Sequence, residues 1–354
     1  MIYFFLLLLL TACAPHYLSN AAFDLREGHF EKAQQQLAKA DLPFQKCNDA
    51  PLLLLSRAMV YFQAGQITKS LSDFSKAHDA IDYYSQVLAH EIAGQTLLQD
   101  DIGPYVPPSF EIELARVYEA LAFLHQGDES NAAATLLYLE NHNYKNPLAT
   151  YLLATLFDRR GDHSNARILQ SRLGVAQNQG NVLVVYHLGK APIKKSEIAP
   201  TSIVSGALLE SLLAAYEVEP ALSTLAGVPV PVLEDFKTVH SFSTPLIHYN
   251  ITKAAHEHLE KELPLIATRA AARLLIRRAA VASVKKEAHQ LMDIGMLIAN
   301  TVTQADTRSW NMLPATIELH HISLPPGKQT IDNITFNVKE QGLTVVEIFK
   351  PHKE

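Results

Sequence analysis

Histidine and cysteine are the residue types in this chain that could carry chemistry, and their spacing sets what they can do. There are 16 histidines among 354 residues, a large supply of metal ligands and proton carriers. A zinc site on one helix face needs histidines four residues apart, as in H-E-x-x-H. His256-Glu257-His258 sets its imidazoles two apart, on different faces of a helix. His90-Glu91 has no second histidine four positions after His90. His320-His321, read as part of a strand, points to opposite faces. Two cysteines, Cys13 and Cys47, are too few for a disulfide framework or a zinc cage. Cys47 falls in a linker, a poor place for a nucleophile, and reads as a lone thiol. An intermolecular disulfide is the other use open to it. No G-x-S-x-G, Walker A or G-x-G-x-x-G run occurs. The expectation is a non-enzyme, with no catalytic residue, no metal and no cofactor.

Composition narrows the remaining classes. The chain is 48% apolar and 19% charged, enough to build cores and unlike a disordered chain. A net charge of −6 argues against a basic-patch binder of nucleic acid. The 14 glycines are few, which disfavours phosphate-cradling loops and favours helices. The length suits about two domains.

Residues 1–12 carry no charged side chain, and Phe4 to Leu10 is one apolar run. It is too short to span a bilayer and has the length of a signal-peptide core. It ends in Leu10-Thr11-Ala12-Cys13, which resembles the lipobox of bacterial lipoproteins. That resemblance implies a signal peptide over 1–12 and a mature N-terminus at Cys13, acylated on sulfur. Met1-Ile2-Tyr3 departs from it by lacking Lys or Arg. Ala14 follows the cysteine, where an aspartate would resemble an inner-membrane retention signal. The implied site is the outer membrane, with the body facing the periplasm.

Four glycines, Gly28, Gly65, Gly127 and Gly161, align an internal pattern. Seven residues before them stand Ala21, Ala58, Ala120 and Ala154. Five after them stand Ala33, Ser70, Ala132 and Ala166. Four before them, Tyr61, Phe123 and Phe157 are aromatic in three of the four copies, Asp24 being the exception. Phe74 and Leu136 belong to a column of large residues nine after the glycine. Small residues suit the place where two helices cross, and a glycine suits a left-handed helix cap. The last two glycines lie 34 residues apart. This pattern resembles the tetratricopeptide repeat, in divergent copies over roughly residues 17–177. The copy at 51–80 carries Ala58, Tyr61, Gly65, Ser70, Phe74 and Ala77. The gap of 62 residues between Gly65 and Gly127 exceeds one repeat. It leaves room for an extra helix at 83–99 and a proline-rich loop at 100–109, either a hinge or an insertion. Such arrays bind a protein partner in a concave groove. Arg57, Arg116 and Asn146 are the residues of a carboxylate-clamping type, and they read as ordinary solvated side chains.

The pattern changes near Gly180. Val182 to Leu188 reads as a buried strand, Lys190 to Pro200 as a loop and Ala207 to Tyr216 as a helix. Residues 228–232 alternate Val and Pro, so they form an edge strand or an extended connector. A strand falls within 238–250. Thr252 to Gln304 reads as helix, and Pro264 predicts at least two segments. Arg269, Arg273 and Arg277 form a basic stripe. Strands follow at 315–324, 330–338 and 343–349, a candidate three-stranded antiparallel unit. The fold class is therefore α+β. A helical, tetratricopeptide-like array over 13–177 precedes a mixed domain over 178–354 ending in antiparallel strands.

The run Thr307 to Ala315 and the turn Leu324-Pro325-Pro326-Gly327 complete a layout similar to an uncharacterised family of Gram-negative lipoproteins with divergent tetratricopeptide-like repeats. That resemblance brings no catalytic residues. The layout is also similar to repeat lipoproteins that activate penicillin-binding proteins or serve the β-barrel assembly machine. The implied function is a lipid-anchored periplasmic adaptor that binds a protein partner, with regulation of cell-wall synthesis as a particular role. The alternative is an accessory lipoprotein whose second domain holds a glycan or lipid.

Overall fold

The structure is a computed structural model that describes residues 16–95, 103–175, 180–198, 229–237, 244–282 and 305–351. The described first half is helical. It comprises α1 (His16–Arg26), α2 (Phe30–Gln36), α3 (Ala50–Gln63), α4 (Ile67–Gln95), α5 (Ser109–His125), α6 (Glu129–Asn141), α7 (Pro147–Arg159) and α8 (His163–Leu173). Consecutive helices pack as pairs, α1 on α2, α3 on α4, α5 on α6 and α7 on α8, and each pair touches the next.

The turns between paired helices share one hydrogen-bond scheme. Gly28, Gly65, Gly127 and Gly161 all have φ between 70° and 82°. The N–H just after each glycine returns to the carbonyl five residues earlier, as from Gln66 to Tyr61 at 2.8 Å and from Asp128 to Phe123 at 2.9 Å. This is the Schellman closure, and a Cβ would strain its left-handed residue. The column four before the glycine thus supplies the accepting carbonyl. Asp128 and Asp162 then cap α6 and α8 through side-chain bonds to Asn131 N and Asn165 N.

Ala21, Ala33, Ala58, Ser70, Ala120, Ala132, Ala154 and Ala166 are all buried. Phe74 and Leu136 are buried in the same core, while Tyr61, Phe123 and Phe157 are half-buried. Small side chains let neighbouring helix axes come close, and the larger ones fill the space beside the contact. One sequence expectation fails here. Residues up to Gln95 do not form a separate helix, because α4 runs without a break from Ile67. No Gly or Pro interrupts that stretch before Gly94.

The second half adds β1 (Val182–Leu188), β2 (Ile193–Ile198), β3 (Pro229–Glu234), β4 (Ile247–Asn250), α9 (Ile251–Ala282), β5 (Thr316–Ile322), β6 (Gly327–Ile331), β7 (Ile334–Val338) and β8 (Thr344–Lys350). The main sheet runs β4-β5-β1-β8, and β8 lies parallel to β1. β1 is central and buried on both faces, which explains why all but His187 and Tyr186 of its residues are aliphatic. Leu183 and Val185 pack with the helices. Val182 and Val184 pack on the other face with Val346 and Ile348, beneath Val338 of the β6–β7 ribbon.

Three further expectations are corrected. The three-stranded antiparallel tail is not formed: β5 and β8 flank β1, and the 330–338 segment folds as a separate hairpin. Its turn, Asp332-Asn333, has φ of 48° and 64°, the left-handed pair of a tight hairpin. The 190–200 loop contains β2, which begins just after Pro192. β2 pairs with β3, whose prolines sit on a two-stranded ribbon that tolerates missing donors. Finally, α9 runs through Pro264 as one helix. Pro264 and Glu260, whose carbonyl loses its usual donor, are both exposed, so water can replace the lost bond. The helix read at 207–216 and the lipobox lie outside the described residues. So do the side chains of Arg273 and Arg277.

Candidate functional site

The densest polar chemistry lies where the helical array meets the main sheet. Two tyrosine–histidine relays cross this junction. Tyr118 on α5 reaches His187 Nδ1 at 3.0 Å, and His187 Nε2 reaches Glu347 on β8 at 2.5 Å. A carboxylate only accepts, so His187 donates from Nε2. His125, in the last turn of α5, approaches the other Glu347 oxygen at 3.4 Å. Burial alone would raise the Glu347 carboxyl, yet bonds from His125 and His187 hold it below the usual carboxylate range. The His187 ring also stacks on Phe349 at 4.2 Å between centroids.

The second relay is built alike. Tyr151 on α7 donates to His321 Nδ1 at 2.8 Å, and His321 Nε2–H donates to the Gly180 carbonyl at 2.7 Å. Burial pushes the His321 imidazole down, favouring its neutral form. A Cβ on Gly180 would stand 2.6 Å from the Ile322 carbonyl oxygen, so the chain needs glycine there. His320 points to the other face, against the Tyr186 ring.

The Asp306–Ala315 segment forms a third junction. Arg308 donates to Asp49 at 2.8 Å and to the Gly103 carbonyl at 2.9 Å, and holds Asp306 by a two-point contact. One guanidinium thus ties the start of α3 to the segment before β5. Trp310 is 1% exposed, and its backbone N–H donates to Glu111 on α5 at 3.1 Å. Tyr105 donates to the other Glu111 oxygen. Burial raises the Glu111 carboxyl despite these two bonds.

The clamp-type residues are not solvated as read from sequence. Arg57 is buried and doubly bonded to Asp73, at 2.6 and 2.9 Å. Asn146 is buried and caps α7 through Leu148 N and Ala149 N. Arg116 is half-buried, bonds Glu119 and lies 4.3 Å over the Tyr138 ring centroid. Each completes the fold: Asn146 and Arg116 through partners two to three residues away, Arg57 through the neighbouring helix. Cys47 is half-buried, and burial raises its thiol. His256 pairs with Asp235 at 2.9 Å, while His258 stands against the Phe110 ring. Among the described residues no group of three His, Cys, Asp or Glu could hold a metal. None of their helices is long and apolar enough to cross a membrane.

Two cavities touch these junctions. A cleft of about 220 Å³ opens between the α1–α2 turn, His187, Met312 and Phe349. A space of about 20 Å³ lies between Phe110, Lys194, His258 and Trp310. Sequence reasoning singled out the Trp310 segment but missed His125, His187 and Glu347 as a set. The available signal was a histidine and a glutamate inside strands that read as buried, since buried ionisable groups need partners. No family model, curated protein or solved structure matches the chain.

Proposed function

We propose that this protein is a non-enzymatic, lipid-anchored adaptor of the cell envelope. Cys13 carries the anchor, the outer membrane is the anchored surface, and the helical array α1–α8 engages a protein partner in the periplasm. The array is read as divergent tetratricopeptide-like hairpins, and regulation of cell-wall synthesis is the role its layout suggests. One observation carries the reading. Four successive helix pairs repeat the same glycine-closed turn, with a small buried residue on each of the paired helices. A stack of this kind presents an extended surface that follows from repetition rather than from one pocket.

The competing reading is a glycan or lipid ligand held by the second domain. A ligand pocket usually measures ~300–1,000 Å³. The space beside α9 and Trp310, at about 20 Å³, holds little more than one water. The cleft at Phe349, at about 220 Å³, is also below that range. Both spaces are smaller than a usual ligand pocket. Labelled palmitate incorporation that is lost in Cys13→Ala tests the anchor. Crosslinking in intact cells, with the crosslinked peptides mapped, tests the partner.

A further inference from the structure

We propose that α1 lies against the bilayer surface, with the Phe23 side chain at headgroup level. The proposal rests on the reading of Cys13 as the acylated residue. Only Ala14 and Pro15 separate Cys13 from His16, the first residue of α1. Three extended steps span at most ~11 Å. The polar layer on each side of a bilayer is ~5–8 Å deep. An acyl tether this short keeps the start of α1 at the lipid surface.

The outward face of α1 suits that position. Leu18, Ala21, Ala22 and Leu25 are buried against the array, while Ser19, Asn20 and Phe23 are exposed. Phe23 is 62% exposed, the highest value among the exposed large apolar side chains described. It stands ~10 Å along the helix axis from His16. Tyr17 does not share that outward face: its ring packs against the core, 5.1 Å from the Lys39 ammonium. An exposed phenylalanine on a helix close to an acyl anchor suits the boundary between acyl chains and headgroups. Glu27, exposed one turn past Phe23, opposes deeper insertion of this face. The arrangement would seat the first hairpin on the membrane and leave the later hairpins to extend from it.

The test uses the full-length mature lipoprotein in phosphatidylethanolamine–phosphatidylglycerol vesicles, with lipids brominated near the headgroup end of their acyl chains. Trp310 is the sole tryptophan and is buried, so it gives a constant background. F23W adds a reporter at the proposed contact. I168W adds one on α8, where Ile168 is 51% exposed. The emission added by F23W should fall on the order of twofold on bromination, as for a side chain in the outer acyl region. Emission from wild type and I168W should not change. Lipidated F23W that floats with vesicles but is unquenched overturns this inference alone, and leaves Phe23 to a protein contact. Absence of a diacylglyceryl group on Cys13, with no vesicle flotation, overturns both this inference and the anchor.

Discussion

The Ser70 hydroxyl donates to the Ala58 carbonyl at 2.9 Å, and both residues are fully buried. These are the two small positions of one hairpin, so the bond marks where α3 and α4 touch. Ser70→Ala should cost about 1 kcal/mol, the net worth of one intramolecular hydrogen bond. Ser70→Leu should cost more, about 1–3 kcal/mol or above, because the seam has no room for the branch. Urea unfolding of both variants gives the comparison. Equal stability of the two would contradict a close-packed seam.

Glu347 joins α5 to the sheet through His125 and His187. Glu347→Ala removes the acceptor from a buried imidazole and should destabilise by about 2–4 kcal/mol. His125→Ala, at the more exposed end, should cost about 1 kcal/mol. The Glu347 carboxyl is held low in the fold. Its contribution is therefore present above the usual carboxylate range and is lost as pH falls through the depressed folded value.

The second relay predicts an acid limit at a higher pH. Burial lowers the folded pKa of His321 and also of His320. The unfolded chain then binds more protons near the ordinary histidine pKa. Stability is present above ~6.5 and falls as pH drops from there toward the folded values. Unfolding midpoints between pH 7.5 and 5.5 should fall. His321→Gln, which can keep a donor toward Gly180, should flatten that slope. An unchanged slope would contradict the relay.

Arg308 uses three nitrogens on Asp49, Asp306 and the Gly103 carbonyl. Lysine keeps the charge but loses the planar fork. Arg308→Lys should cost about 1–3 kcal/mol, with the partly exposed Asp49 limiting the loss. Limited proteolysis should then cut first in the Asp306–Ala315 segment.

The sequence made local features legible. The β1 run is apolar at nearly every position because both of its faces are covered, and the glycine columns mark turns that close by one hydrogen-bond scheme. Long-range pairings were not legible. Val185 meets Glu347 across parallel strands, and nothing near either residue announces the other. The Asp332-Asn333 turn carried a local signal, but the apolar residues on both sides masked it as one strand. Arg57 read as a surface residue because its partner Asp73, on the next helix, becomes a neighbour only on folding; Asn146 directly before Pro147 carried the local signal of a helix cap. Pro264 misled for a different reason: an exposed helix side tolerates a missing bond that a buried one would not.

The central claim, a lipid-anchored adaptor that works through its helical array, is tested most directly by crosslinking in intact cells of the native host, with Cys13→Ala as control. Crosslinked peptides would be mapped by mass spectrometry. The account predicts an envelope protein enriched only with the anchored form, its crosslinks falling within residues 16–173. No protein enriched over the control, or crosslinks confined to the β6–β7 ribbon and the cleft at Phe349, would contradict it.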